Sequence, residues 1–168
     1  MNLYFMRHGI AVDGGDTGKA SDDRARALTP KGIKRMRKAA KGLITLSLSF
    51  DRILASPFER ARQSAQIVAE ALHMEDRLEE IQELCPDRSV HDLLSGLAAY
   101  SDKKNILLIG HEPLLSSTVS FLLSGNAGAE IRLKKGGLCC LEADNLPAKG
   151  GAVLNWALTP KQLRLLAR

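Results

Sequence analysis

The nine residues YFMRHGIAV, from Tyr4 to Val12, decide how the fold begins. An apolar run that is typical of a buried strand stops at Arg7, His8 and Gly9, and the chain then becomes apolar again. A guanidinium and an imidazole therefore stand side by side where the first core strand ends. Ligands of open α/β sheets bind beyond such strand ends, so this stretch is the first indication of a functional site.

Two later strands also end in polar residues. The continuous apolar run NILLIG (105–110) is typical of a central parallel strand, and His111 and Glu112 follow it directly. The run DRILAS (51–56) predicts another strand, and Arg60 stands just after it. If these strands are neighbours, two histidines and two arginines converge at one edge of the sheet.

Short apolar strands alternate with helical patterns along the chain, which predicts an α/β fold. We expect a three-layer sandwich in which helices flank a mostly parallel central sheet. The segments EIRL, GLCCLE and AVLNWAL predict antiparallel edge strands near the C-terminus, whereas residues 77–83 are ambiguous between strand and loop. Residues 1–168 read as a single domain.

Several helix starts can be predicted from capping residues. Thr29-Pro30 predicts a helix start, because proline at the first helical position loses no hydrogen bond. Ser56 is predicted as an N-cap, with Pro57 first inside the helix and Glu59 completing a capping box. The segment that begins at Glu112 predicts another helix. Both of these later starts would aim backbone donors at the predicted site.

Composition limits the class of protein. Apolar residues make up 45% and charged residues 26% of the chain, as in ordinary globular proteins, and the net charge of +5 favours acidic partners. The three cysteines include the neighbours Cys139 and Cys140, so we expect no disulfide framework and a cytoplasmic location. No signal peptide or membrane segment is apparent. We expect a monomer that does not bind membranes. We also expect no binding of nucleic acid, because aromatic residues that could stack on bases are scarce.

The residues at the strand ends suit phosphoryl transfer. Catalysis of that reaction depends on positioning and on stabilising charge at the phosphoryl oxygens, and arginine matches phosphate geometry. An imidazole is substantially unprotonated at neutral pH, so one histidine can attack phosphorus. We predict that Gly9 lets the backbone pass close to the ligand. Each residue alone is weak support, and the joint pattern carries the hypothesis.

The segments MRHGIA, LTPKG, ASPFERARQSA and IGHEP together resemble the histidine phosphatase superfamily, also called the phosphoglycerate mutase-like family. The resemblance implies that His8 becomes transiently phosphorylated. It also implies that Arg7, Arg60 and His111 hold the phosphoryl oxygens, and that neither a metal nor another cofactor is needed. Gly9 and Glu112 are further predicted contacts of the phosphate.

The chain resembles the short SixA-type branch of this family, because residues 73–104 leave little room for a lid. Members of that branch are phosphohistidine phosphatases acting on phosphorylated proteins, which implies a partner such as a phosphotransfer domain. The residue that donates the proton is left open: Glu83 is the first candidate, Asp87 is the second, and the reaction also works without a proton donor if the leaving group is an imidazole. A phosphatase of small phosphate monoesters and a non-catalytic phosphate-binding module remain alternatives. The loop from Asp13 to Asp23, which contains Lys19, either borders the predicted substrate pocket or is only a connector between two elements of the fold.

Overall fold

The computed structural model describes residues 1–13, 23–144 and 149–167. Lys19 and most of the loop around it lie outside this part of the chain. Within the described residues, no helix is long and apolar enough to cross a lipid bilayer. The five helices of this part are α1 (Pro30–Thr45), α2 (Glu59–Leu72), α3 (Val90–Leu97), α4 (Leu114–Ser124) and α5 (Pro160–Leu166).

Six strands of the described residues form one sheet in the order β3-β2-β4-β1-β5-β6. The first four are parallel, and β5 and β6 pair in antiparallel fashion at one side. The predicted three-layer α/β fold with a mostly parallel sheet is therefore confirmed. The strands are β1 (Asn2–Arg7), β2 (Arg52–Ala55), β3 (Leu78–Glu80), β4 (Asn105–Gly110), β5 (Leu138–Glu142) and β6 (Val153–Leu158).

Alternation along the central strands separates two hydrophobic cores. In β1, Leu3 and Phe5 pack with α3 and α4 on one face, while Tyr4 and Met6 pack with α1, α2 and α5 on the other. Successive side chains of a strand point to opposite faces, so a sheet covered on both sides needs apolar residues throughout. The same rule explains why the neighbours Cys139 and Cys140 in β5 are both buried, one on each face of the sheet.

The predicted start of α1 is confirmed. The side chain of Thr29 accepts a hydrogen bond from the backbone N–H of Gly32, and Pro30 occupies the first turn. Gly32 is required by packing, since a Cβ there would lie 2.1 Å from the carbonyl oxygen of Ile10. The close approach holds the start of α1 against the segment that follows β1.

Three predicted elements differ from the structure. The helix α2 begins at Glu59 instead of Pro57, because the Oγ of Ser56 is engaged by His111 as well as by the N–H of Phe58. The segment EIRL (130–133) is not a strand. The carbonyl of its last residue, Leu133, instead accepts a hydrogen bond from the side chain of Arg7. The ambiguous segment 77–83 contains the short edge strand β3.

Candidate active site

The carboxyl ends of β1, β4 and β2 lie side by side. Arg7 is in register with Gly110, and the backbone N–H of His8 donates to the Gly110 carbonyl over 3.1 Å. On the other side of β4, the N–H of Ser56 donates to the carbonyl of Ile109 over 3.0 Å. The predicted meeting of these three strand ends is therefore what the structure shows.

Two histidine rings face each other at this edge. The ring centroids of His8 and His111 are 5.0 Å apart, and the residues are only 6% and 2% exposed. The Nδ1 atom of His8 lies 2.7 Å from the carbonyl oxygen of Gly9. A carbonyl can only accept a hydrogen bond, so Nδ1 carries the proton and Nε2 keeps its lone pair. His111 is fixed through its Nε2, which lies 2.9 Å from the Oγ of Ser56.

Gly9 positions His8 through its carbonyl, and its backbone N–H is engaged elsewhere. Its backbone N–H donates to the Oγ of Ser64 over 3.0 Å, and that hydroxyl donates to the carbonyl of Arg60 over 2.6 Å. A Cβ on Gly9 would lie 2.7 Å from the Cγ of Met36 in α1. The missing side chain makes room for α1, and the N–H already has a partner, so a direct contact of Gly9 with phosphate stays a prediction.

Both arginines reach the histidine pair. Arg60 is buried and donates from Nη1 to the carbonyl of Asp23 over 2.6 Å and from Nη2 to its carboxylate over 2.8 Å. Its guanidinium carbon lies 5.2 Å from the ring centroid of Phe58, which is also 5.2 Å from the ring of His111. Arg7 is anchored by a 3.2 Å hydrogen bond from Nη1 to the carbonyl of Leu133.

Three buried side-chain atoms at these strand ends have no hydrogen-bond partner within the described chain: Arg7 Nε, His111 Nδ1 and Glu112 Oε1. Buried polar atoms without partners are rare in proteins, and they often mark the place of a ligand or a water molecule. Arg7 Nε is a donor, and His111 Nδ1 is a donor in one tautomer. The edge therefore offers unused donors next to the lone pair of His8, which suits an oxyanion such as a phosphoryl group.

Burial and neighbouring charges hold both imidazoles neutral. Burial, His111 and the two arginines lower the pKa of His8 to about 3. Burial and the two arginines likewise lower the pKa of His111 to about 3, although Asp23 acts in the opposite direction. The neutral form of His8 is the nucleophilic one, so the surroundings that attract an anion also keep this ring reactive.

This neutrality has a measurable consequence for stability. Between pH 7 and pH 5 the unfolded chain protonates its histidines and the folded chain leaves His8 neutral, so the free energy of unfolding falls as pH falls. We expect His8 to account for about 2 kcal/mol of that loss. Urea unfolding at both pH values should show a loss smaller by this amount in His8→Gln than in the wild type. Equal losses in the two proteins would contradict a neutral His8.

The predicted acids do not join the histidine pair. Glu83 lies in a short turn (Gln82–Leu84) whose buried member, Leu84, packs towards the end of β4. The side chain of Glu83 consequently turns to α3, where its Cγ is 2.8 Å from the position that a Cβ on Gly96 would take. A catalytic role of Glu83 stays a prediction, which this placement does not support. Asp87 is exposed on the chain beyond it.

Glu112 is the carboxyl group that directly follows His111. Its Oε2 accepts a hydrogen bond from Ser116, and burial raises its pKa although Arg7 acts in the opposite direction. The helix α4 begins at Leu114, two residues later than predicted, so Glu112 is not a helix-start donor to phosphate. The Oε1 atom of Glu112 has no partner within the described residues, and a contact of this side chain with phosphate stays a prediction.

Sequence reasoning missed the side-chain contacts of several residues at the site, although Ser56 was predicted as an N-cap and Asp23 ends the loop that was expected to border the pocket or only to connect. Asp23, Ser56, Phe58 and Ser64 contact the predicted residues directly. Three of them stand in the segment ASPFERARQSA that already suggested Arg60, so that segment contributes more than its arginine. In the described residues, no cluster of three or more His, Cys, Asp or Glu side chains could hold a metal ion.

An open sheet with two histidines and two arginines beyond its parallel strands defines an enzyme that acts on phosphoryl groups. The chain belongs to the histidine phosphatase superfamily: the family model of the superfamily (branch 1) matches residues 3–84, and a phosphohistidine phosphatase SixA homolog is 33% identical over 73% of this chain. Both the predicted family and the predicted enzyme class are thereby confirmed.

The similarity to individual proteins of this superfamily covers nearly the whole chain. Phosphohistidine phosphatase SixA of Escherichia coli is 28% identical over 168 residues, which span 98% of each chain. The SixA homolog of Haemophilus influenzae is 33% identical over 131 residues, or 73% of this chain and 77% of that one. The solved structure of the protein histidine phosphatase SixA complexed with tungstate has a TM-score of 0.83 and 27% identity, and the match covers 97% and 99% of the two chains.

Proposed function

We propose that the protein is a metal-independent phosphatase that works through a phosphorylated His8. The observation that carries the proposal is the bond from His8 Nδ1–H to the Gly9 carbonyl, because it leaves Nε2 as a free base beside the unused donors. In the first step Nε2 bonds to phosphorus as the bond to the leaving group breaks. In the second, water attacks phosphorus, phosphate leaves and His8 is regenerated.

Arg7, Arg60 and His111 are the proposed holders of the phosphoryl oxygens. Arg7 Nε and His111 Nδ1 have no other partner in the part of the chain that the structure describes, so a bound oxyanion would satisfy them. The Nη atoms of Arg60 are held by Asp23, whose oxygens occupy the place where phosphoryl oxygens would bind. When the substrate binds, its phosphoryl oxygens therefore replace Asp23 as partners of the Arg60 guanidinium or share this guanidinium with it. Because Asp23 already orients the guanidinium of Arg60, that group need not be reoriented when the substrate arrives.

The proposed substrate is phosphohistidine on a protein such as a phosphotransfer domain. The leaving imidazole of phosphohistidine departs neutral when its other nitrogen is protonated, so no strong general acid is needed. That chemistry agrees with the position of Glu83 away from the histidines, and the similarity to SixA supports it further. We also propose a cytoplasmic location, since the three cysteines are buried, unpaired thiols.

The surroundings of Glu112 favour a second candidate function, the hydrolysis of small phosphate monoesters. Its buried Oε1 has no partner, and its raised pKa makes it a better proton donor than an exposed carboxyl group. An alkoxide leaving group needs such a proton. A binding module without catalysis has no such support, because it gains nothing from the lone pair of His8.

Direct comparison of substrates tests the proposal. We expect kcat/KM to be at least about 100-fold higher for a phosphohistidine peptide than for phosphoserine or a sugar phosphate, because only the esters depend on a proton donor. Released phosphate is measured for each substrate in the presence of a chelator. Glu83→Gln should match the wild type on all of them. Higher turnover of an ester would favour the second candidate instead.

A further inference from the structure

The exposed side of α1 is a continuous basic surface. Its buried side consists of small and apolar residues, among them Met36, Ala40 and Leu43. The helix contains no acidic residue and no aromatic residue. Its six cationic side chains are all exposed, and we call them the α1 basic face: Lys31, Lys34, Arg35, Arg37, Lys38 and Lys41.

This arrangement is electrostatically unfavourable for the isolated protein. Residues three and four apart are neighbours on a helix, and Lys34 has Lys38 and Lys31 at those spacings. Like charges at such positions destabilise a helix. Within the described residues, no member of the α1 basic face forms an ion pair. Across the contact with α5, Arg164 faces Arg35, and burial together with this second guanidinium lowers the pKa of Arg164.

The α1 basic face begins at the edge of the active site. The N–H of Thr29 donates to the carbonyl of Ile10 over 2.9 Å, and Ile10 is two residues beyond His8. The helix then runs for about 24 Å at 1.5 Å per residue. A shallow groove of about 610 Å³ follows it, lined by Pro30, Ile33 and four of the cations. A chain that enters the site can therefore continue along this groove.

We propose that the α1 basic face docks an acidic segment of the phosphorylated protein substrate. This inference rests on the proposed function and adds a specificity-determining surface outside the reacting groups. Acidic side chains would offset the repulsion among the six cations, and they would also raise the rate of encounter. The absence of aromatic residues from α1 favours a protein over a single-stranded nucleic acid, whose bases require stacking platforms.

Two synthetic phosphohistidine peptides test the proposal. One carries a run of glutamates on the side of the phosphohistidine that can follow α1, and the other carries glutamines there. We expect kcat/KM of the wild type to be about 10-fold higher for the glutamate peptide, mainly through a lower KM, and the difference to vanish in about 0.5 M NaCl. Equal kcat/KM values at low salt would overturn the proposal.

Charge reversal on α1 gives the sharper result. Lys34→Glu/Lys38→Glu should lose the preference for the glutamate peptide and keep wild-type turnover of the glutamine peptide, because both lysines are exposed and outside the site. Lys104→Glu/Lys149→Glu makes the same change of net charge at two exposed positions elsewhere, and it should behave as the wild type. Equal losses in the two double variants would refute a local docking surface.

Binding without turnover separates this inference from the proposed function. The unphosphorylated glutamate peptide should bind the wild type more tightly than the unphosphorylated glutamine peptide, as measured by fluorescence anisotropy. If neither phosphopeptide is hydrolysed but the glutamate peptide still binds more tightly than the glutamine peptide, the proposed substrate is wrong and the docking proposal stands. Tighter binding of an RNA oligonucleotide than of the glutamate peptide would overturn the docking proposal and identify a different partner.

Discussion

His8→Ala is expected to abolish both turnover of a phosphohistidine peptide and the formation of a phosphorylated protein. Loss of a nucleophile typically lowers kcat by about 10⁴-fold or more. Incubation with a labelled phosphoryl donor followed by an alkaline quench should trap label on the wild type, and acid should release it. We expect that His111 does not replace His8, because Ser56 engages its Nε2 and its Nδ1 is the proposed donor to the phosphoryl group.

A matched control exists in the same chain. His91 is exposed at the start of α3, and His91→Ala should trap as much label as the wild type. Urea unfolding of both variants shows whether the fold is retained. Label that persists in folded His8→Ala would assign the nucleophile to another residue and would refute the proposed mechanism.

Arg7→Lys is expected to lower kcat/KM by about 100-fold to 1000-fold, the usual effect of removing one oriented donor to an oxyanion. Lysine keeps the positive charge but cannot donate to the Leu133 carbonyl and present a second donor in a fixed plane, as the guanidinium does. The loss should appear in weaker inhibition by orthovanadate as well as in turnover.

Arg132→Lys is the control for this substitution. Arg132 is an exposed guanidinium that pairs with Glu130 at the surface, so the same change there should leave kcat/KM within about twofold of the wild type, as surface changes usually do. Full activity of Arg7→Lys would mean that the site requires only a charge at this position.

The residues that could be predicted from sequence are those whose positions follow from local patterns. The apolar runs that became β1 and β4 are long and uninterrupted, and the strand-end rule then places His8 and His111 without knowledge of any contact. The start of α1 at Thr29-Pro30 is equally local, since an N-cap and a proline define it.

The residues that could not be predicted depend on partners far away in the chain. Ser56 has the local features of an N-cap, but His111 engages its hydroxyl, and the helix starts later. Glu83 follows the burial of its neighbour Leu84, which turns the carboxylate to α3. No short-range pattern contains either fact, because tertiary contacts override local preferences at such positions.

The neighbouring positions of β1 and β4 govern when the protein can first act. Asn2 and Asn105, at the starts of these strands, are 103 residues apart, yet their side chains are joined by a hydrogen bond. During synthesis on the ribosome, the amino-terminal portion that carries His8 emerges long before the portion that carries His111. We therefore expect newly made chains to be inactive until β1 and β4 pair, and we expect the fragments left by a proteolytic cut between the two portions to regain activity only by reassociating.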